Sequence, residues 1–133
     1  MKGNVKIREV QIEFSHAIIR RDKVCQIRDF EPCYGRLECS HFHTQGSTPS
    51  LMFYPYNAFA QCTKHHFNHH NKKEDSNMYY NFLLASYPEE LEYMETAKNK
   101  YIKYTQYIKA EIIQFCNNDD LEGLADYIRG ILL

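Results

Sequence analysis

The sequence predicts an α+β fold, with a short strand between two helices in its first half and a helical second half. Apolar residues change from a period of two around residues 36–43 to helical spacing on either side. A chain of 133 residues is enough for one domain, or for a small core with an appended helical arm. We therefore divide it into a core with an N-terminal helix over residues 1–75 and a helical C-terminal extension over residues 76–133.

The charges of the two halves differ in sign, although the whole chain has a formal net charge of only -1. Residues 1–73 hold 11 Lys and Arg against 6 Asp and Glu, whereas residues 74–133 hold 5 against 11. The basic half also contains all seven His and four of the five Cys. A basic half that is rich in metal-binding side chains, beside an acidic half, predicts that the first half faces a polyanion.

The N-terminal residues have no apolar segment of the kind found in secretion signals, and no run approaches the roughly 18 apolar residues of a membrane span. We therefore expect a cytoplasmic protein with no membrane partner. In a reducing compartment, spaced cysteines are more often metal ligands than disulfides.

Nine consecutive residues, from Cys62 to His70, contain five potential metal ligands. On a helix, His65 and His69 share one face, and His66 and His70 share another about a quarter turn away. One short helix is therefore able to serve two different metals, because imidazole suits zinc and other first-row ions.

Two further thiols precede this stretch. Cys25 and Cys33 flank a turn marked by Pro32 and Gly35. Combined with Cys62 and the histidine three residues after it, they predict a Cys3His zinc site of Cys25, Cys33, Cys62 and His65. A metal would help to stabilise the modest core.

The segment 36–43 reads as a short strand. Alternation places Cys39, His41 and His43 on one face, and Glu38 and Ser40 on the other. Taken alone, His41 would be interpreted as a half-buried structural imidazole.

Helical spacing predicts the remaining elements. A helix is expected over residues 10–22, one over 77–86 with Tyr80, Leu83 and Leu84 facing inward, one long helix from 88 to 116, and a last amphipathic helix over 121–131. Basic residues at 20, 21 and 23 suit the C-terminal end of the first helix, and they would equally suit phosphate contacts.

The order of these parts resembles that of the zinc-containing HNH (ββα-metal) endonucleases. The segment Glu38-Cys-Ser-His41-Phe, followed by Asn57-x4-Cys62-x2-His65, is similar to a pattern in phage recombination nucleases of the Rap or NinG type. The resemblance covers residues 20 to about 85, roughly half of the chain. It implies a zinc-stapled ββα-metal core that hydrolyses DNA phosphodiester bonds.

The resemblance also implies roles for individual residues. His41 would be the general base that takes a proton from the attacking water. Asn57 would hold the connecting loop, and His66 and His70 would bind one catalytic divalent ion, Mg²⁺ or Mn²⁺. Cys25, Cys33, Cys62 and His65 would hold the structural Zn²⁺.

Three departures from the family pattern leave alternatives open. The fourth zinc ligand is His65 where the family usually has Cys. Ser40 stands where many members have a metal-binding Asp or His, so that Glu38 or His43 would substitute, and we favour His43 because the strand pattern places it beside His41. His69 is a spare ligand that would replace His65 on zinc or His70 on the catalytic ion.

The expected partner is DNA, with branched recombination intermediates suggested by the family. Basic residues surround the predicted site in sequence and are suited to phosphates: Arg20, Arg21, Lys23, Arg28, Arg36, Lys64, Lys72 and Lys73. The amphipathic C-terminal helices would allow a homodimer. The alternative function is a non-catalytic zinc module that binds DNA or a protein partner; it would explain the cysteines but not the additional histidines.

Overall fold

The computed structural model describes residues 4–27, 32–71 and 73–133, apart from the side chains of residues 70 and 73–76. Within these residues, helices and a two-stranded antiparallel sheet confirm a mixed α/β class. The elements are α1 (Ile7–Asp22), β1 (Leu37–His41), β2 (Ala58–Cys62), α2 (Thr63–Asn71), α3 (Lys73–Ser86), α4 (Pro88–Ala97), α5 (Gln106–Asn117) and α6 (Leu121–Ile131).

The two strands and α2 form a hairpin–helix unit. Leu37 pairs with Cys62 and His41 with Ala58, so the strands are in register along their whole length. The connection over residues 42–57 contains two short 3₁₀ turns, and β2 passes directly into α2. Cys62, the last residue of β2, is therefore adjacent to the first turn of α2, which contains His65.

A buried ion pair joins the end of α1 to β2. Arg21 donates to both carboxylate oxygens of Asp22 and to the carbonyl oxygens of Pro55 and Ala58. The Asp22 side chain is only 6% exposed and accepts the backbone N–H of Ala60 at 2.8 Å. Arg21 is thus occupied inside the protein and does not fit the predicted phosphate contact. Its neighbour Arg20 is also occupied, since it donates to the side chain of Asp119.

We expect Asp22→Ala to lower the free energy of unfolding by about 2 to 3 kcal/mol, because it leaves the Arg21 guanidinium without its counter-ion and the backbone N–H of Ala60 without its acceptor. Arg20→Ala is the matched control: its partner Asp119 is exposed, and such pairs contribute at most about 1 kcal/mol. Urea unfolding of both variants in excess zinc checks this expectation. Equal losses in the two variants would contradict it.

One hydrophobic core is shared by the two halves of the chain. It includes Phe14 and Ile18 of α1, Phe53 of the connection, Met94 of α4 and Ile112 of α5. Helix α6 completes this core with its buried apolar face, formed by Leu121, Leu124, Ala125 and Ile128. The C-terminal helices therefore pack on the first half of the chain, and the apolar face of α6 is covered within the molecule.

The predicted long helix from 88 to 116 is wrong, because the chain leaves the helical path between Ala97 and Gln106. Ile102 turns into the core while Tyr101 is 83% exposed. The side chain of Thr105 then caps α5 by accepting the N–H of Ile108. The sequence pattern does not reveal this break, because Ile102 continues the apolar spacing through it.

The inward face of α3 was predicted only in part. Leu83 is fully buried as predicted, whereas Tyr80 and Leu84 are 45% and 50% exposed and Tyr79 is buried instead. The remaining expectations were close: α1 begins three residues earlier than predicted, and α6 has the predicted bounds. None of the helices within the described ranges combines the length and apolar character that a membrane crossing requires.

Candidate metal centre

Four elements bring the predicted zinc ligands together. Cys25 follows α1 after a left-handed turn at Lys23, and the next residue, Gln26, donates its N–H to Ala60 of β2. Cys62 ends β2 and His65 lies in the first turn of α2. The sequence therefore places two ligands on one continuous strand–helix junction, and a backbone hydrogen bond ties the Cys25 segment to the same strand.

Gly35 allows the segment that carries Cys33 to approach α2. Its φ of +89° lies in the left-handed region, and a Cβ atom at this position would lie 2.6 Å from Cβ of Thr63. With hydrogen there instead, Lys64 of α2 donates its N–H to the Tyr34 carbonyl at 3.1 Å. This close approach completes the cluster from its exposed side.

The ligand atoms of Cys25, Cys33, Cys62 and His65 all lie within 4.8 Å of one another. His65 Nδ1 is 3.4 Å, 3.9 Å and 3.1 Å from the three sulfur atoms in that order. Tetrahedral zinc with sulfur and nitrogen ligands separates them by about 3.5 to 3.8 Å. The donor set and spacing fit a closed structural zinc site, so the Cys3His prediction is confirmed as a cluster able to hold this metal.

The three thiols of the cluster differ in how easily they lose a proton. Burial is the largest cause that raises the pKa of Cys25 and of Cys33, and the neighbouring thiols add to it at Cys33. At Cys62 burial raises the pKa too, but hydrogen bonds with the backbone of His65 and Tyr34 and with the other thiols bring it below its ordinary value. One thiolate is thus stabilised by the protein, and a bound cation would stabilise the others.

A second pair of metal-binding groups lies on the outer side of the same hairpin–helix unit. His66 Nδ1 donates to Glu38 Oε1 at 2.9 Å, and both side chains are partly exposed. This bond fixes the tautomer of the neutral imidazole, so that Nε2 carries the lone pair. A histidine oriented in this way by a carboxylate is the usual arrangement of a metal-binding imidazole.

His43 does not take the position that the strand pattern predicted. The strand ends at His41, and His43 Nε2 instead lies 3.6 Å from Glu95 of α4. Burial lowers the pKa of His43, with the Glu95 charge opposing this effect. Of the two alternatives considered for the ligand beside the helix histidines, Glu38 is the one that lies against His66.

His41 is almost buried, and its ring stacks on Phe14 with centroids 5.8 Å apart. Its Nε2 lies 2.8 Å from the carbonyl oxygen of Met52 and donates to it, because a carbonyl only accepts. The basic nitrogen of the neutral ring is therefore Nδ1. The hydrogen bond to Met52 and the stacking on Phe14 together fix the orientation of the His41 ring.

Asn57 ties the two ends of the β1–β2 connection together. It is fully buried; its Oδ1 accepts the N–H of His43, and its Nδ2 donates to the carbonyl oxygens of His43 and Leu51. Because Leu51 precedes Met52, these bonds also hold the segment that contacts His41. The amide has the loop-holding contacts expected of it.

The remaining histidines of α2 separate in position. His69 is 8% exposed and packs edge-on against Tyr79, with centroids 4.8 Å apart, and also against Phe42. It is not part of the Cys3His cluster, so the described geometry assigns zinc to His65. The side chain of His70 lies outside the described residues.

The sequence pattern predicts Glu38 only as an alternative ligand and predicts no role for Thr63. Thr63 donates its N–H to the Arg36 carbonyl, and its hydroxyl lies 3.4 Å from Glu38. The strand alternation contained a signal for Glu38. It places Glu38 on the face opposite His41, and α2 covers that face of the strand.

No protein-family model matches this chain, and neither a curated protein nor a solved structure is significantly similar to it. The site therefore has to be interpreted from its own geometry. That geometry defines a small α/β domain with a Cys3His cluster able to hold zinc and a histidine–carboxylate pair beside it.

Proposed function

We propose that this protein is a metal-dependent endonuclease of the HNH (ββα-metal) class that hydrolyses phosphodiester bonds in DNA. The observation that carries the proposal is the pairing of Glu38 with His66, one residue after the zinc-ligating His65. A purely structural zinc site would use only one histidine of α2, His65, besides the three cysteines. The Glu38–His66 pair adds a second imidazole, on another face of the same helix turn.

In this mechanism His66 and His70 would hold one Mg²⁺ or Mn²⁺ ion, and Glu38 keeps the His66 ring in place through the Nδ1 hydrogen bond. When bound, the ion neutralises the negative charge that develops on the phosphate and the leaving oxygen. The closed Cys3His site supports the hairpin–helix unit and takes no part in the chemistry.

His41 is the general base. The Met52 carbonyl fixes a proton on Nε2, so Nδ1 is the atom that accepts the proton of the attacking water. Asn57 supports this orientation through the connection that carries Met52. A titrating imidazole suits this task because its ordinary pKa lies near neutral pH.

The substrate in this proposal is DNA, including branched recombination intermediates of the kind cut by phage enzymes. The exposed basic residues Lys23 and Arg36 are suited to backbone phosphates. Cleavage in the cytoplasm of a phage-infected host, and a homodimer that cuts two strands, are further parts of the proposal; the dimer would require a surface other than the buried face of α6.

The test is cleavage of supercoiled plasmid and of a branched DNA by zinc-loaded protein at increasing Mn²⁺ or Mg²⁺. We expect His66→Ala to lose the stimulation by the added ion. Glu38→Ala is expected to require at least about 10- to 100-fold more metal, as is typical when an orienting partner is removed. The matched control is His16→Ala, which removes an exposed histidine of α1.

Cleavage by His66→Ala with an unchanged metal dependence would contradict the proposed ion site. Absence of cleavage by folded, zinc-loaded wild-type protein on both substrates would contradict the nuclease itself.

The second candidate is a zinc module that binds nucleic acid or a protein without catalysis. The specific observation that favours it is the burial of His41, which is 7% exposed and stacked on Phe14, as a structural histidine would be. This candidate predicts one tightly bound zinc per chain and no metal-stimulated cleavage.

A further inference from the structure

Two aromatic side chains stand out from the surface next to the proposed site. Tyr34 is 77% exposed in the segment after Cys33, and Phe67 is 64% exposed on α2. Most other aromatic rings in the first half of the chain pack in the core, for example Phe14, Phe53 and Phe59. A phenylalanine ring left in water next to a cluster able to hold zinc adds nothing to the stability of that cluster.

Both residues lie at the first turns of α2: Phe67 belongs to this helix, and Tyr34 belongs to the segment that contacts it. The Tyr34 carbonyl accepts the N–H of Lys64, and Phe67 lies three residues further along α2, on the same side as Lys64. Phe67 also directly follows His66 in the helix. Tyr34 and Phe67 therefore flank the outer side of α2, and we refer to these two residues as the aromatic strip.

The aromatic strip is continuous with the Glu38–His66 pair. Thr63 lies between them, because a Cβ atom on Gly35, the residue after Tyr34, would be 2.6 Å from Cβ of Thr63, and the Thr63 hydroxyl lies 3.4 Å from Glu38. Arg36 is exposed, lies between Tyr34 and Glu38 in sequence, and adds a positive charge to this part of the surface. Rings, a guanidinium and the proposed metal ligands thus share one surface.

We infer that the aromatic strip binds the unpaired bases of single-stranded DNA, and that this selects DNA with single-stranded segments as the substrate of the site. The inference rests on the proposed function. In duplex DNA the base faces are stacked and hidden, whereas unpaired bases offer a π-face to aromatic side chains. A positively charged neighbour such as Arg36 contributes phosphate contacts that do not depend on sequence.

The position of the strip explains how recognition and cutting are joined. A base held on Phe67 would bring its own backbone to the part of α2 that carries His66, the preceding residue of the helix. The phosphodiester bond near an unpaired base is then the one closest to the proposed metal ion. Flaps, gaps and branched molecules with single-stranded arms contain such bases, and an intact duplex does not.

The experiment measures binding of fluorescein-labelled oligo(dT) of about 20 nucleotides, and of a hairpin duplex, by anisotropy. Zinc-loaded protein is used at one salt concentration and without added Mg²⁺ or Mn²⁺. We expect the variant Tyr34→Ala/Phe67→Ala to bind oligo(dT) at least about 10-fold more weakly than wild type, because stacking on one ring alone contributes about 5-fold or more. Binding of the duplex should change by less than about twofold.

Two variants separate stacking from packing. Phe67→Trp keeps a flat ring and should retain binding of oligo(dT), whereas Phe67→Leu keeps only apolar volume and should lose it. Tyr101→Ala and Tyr107→Ala are matched controls, since these tyrosines are 83% and 70% exposed but belong to the C-terminal half. They should bind as wild type does.

The inference is overturned if wild-type protein does not bind oligo(dT), if the double variant binds it as tightly as wild type, or if oligo(dT) and duplex binding fall equally. Plasmid cleavage by wild type is measured separately. Cleavage with unaltered binding by the double variant would reject the strip alone. Selective loss of oligo(dT) binding without wild-type cleavage would reject the nuclease alone.

Discussion

Chelation of zinc, or substitution of Cys62 by Ser, is expected to lower the thermal midpoint of unfolding by at least about 10 °C. Among the described residues, the buried apolar contacts near the Cys3His cluster are few: Cys25, Ile27 and Cys62 form a small cluster, with Leu37 and Phe82 packed against it. Such a small set of contacts cannot by itself hold the Cys33 segment on α2. Binding of a structural zinc contributes directly to folding free energy, so its loss removes that contribution.

The measurement is thermal unfolding followed by circular dichroism, with zinc content determined for each sample. Cys39→Ala is the matched control, because this thiol lies on β1 outside the four-ligand cluster. It should retain one zinc per chain. A Cys62→Ser protein that keeps both its zinc and its midpoint would refute the structural role of the cluster.

Acid should release the metal as well. Zinc binds thiolates, so protons compete for the sulfur atoms, and the stability that zinc supplies is lost as the pH falls. The midpoint should therefore decrease on acidification in the zinc-loaded wild type and change less in protein already lacking zinc.

Replacement of His41 is expected to have the largest effect on catalysis. A general base contributes about 10²- to 10⁴-fold to a rate, and His41→Ala should reduce plasmid cleavage by a factor in this range. The reason is the tautomer set by Met52, which leaves Nδ1 as the basic nitrogen. Single-turnover cleavage at saturating Mn²⁺ measures the chemical step.

The alanine variant also removes the ring that packs on Phe14, so a second variant is needed. His41→Gln retains an amide N–H able to donate to the Met52 carbonyl, but it has no group that accepts a proton near neutral pH. We expect it to fold with wild-type zinc content and to cleave as poorly as His41→Ala. Full activity of a folded His41→Gln protein would show that His41 is not the base and has a structural role.

The C-terminal helices contact the segment around Met52, whose carbonyl oxygen accepts the hydrogen bond from His41. Ser50, two residues before Met52, donates its hydroxyl to the Ala97 carbonyl at the end of α4. On the other side of Met52, Tyr54 hydrogen-bonds Glu90 of α4 and Arg129 of α6. The helical half of the chain thus supports the segment that orients His41, which explains why both halves share one core.

The zinc cluster was predictable from the sequence because the types and the spacing of its ligands are typical of zinc sites. Cys62 and His65 lie within one strand–helix junction, and the other two thiols flank a turn marked by Pro32 and Gly35. Few arrangements of these residues exist that do not bring them together. Helix α6, whose apolar periodicity is strong, was predictable for the same reason: the pattern is local.

Features that depend on where an element ends were not predictable. His43 was assigned to the face of His41 because alternation continues past the true end of the strand, and only the structure brings it to Glu95. The break between α4 and α5 was missed because Ile102 continues the apolar pattern. Exposure of Phe67 was hidden too, since an aromatic residue in a helix usually packs inward.

The measurement that tests the central claim most directly is zinc K-edge X-ray absorption on purified protein with a determined metal content. The account predicts one zinc per chain with three sulfur neighbours at about 2.3 Å and one nitrogen at about 2.0 to 2.1 Å. The His65→Cys variant should then give four sulfur neighbours. A zinc bound mainly by nitrogen and oxygen would contradict the assignment of Cys25, Cys33, Cys62 and His65.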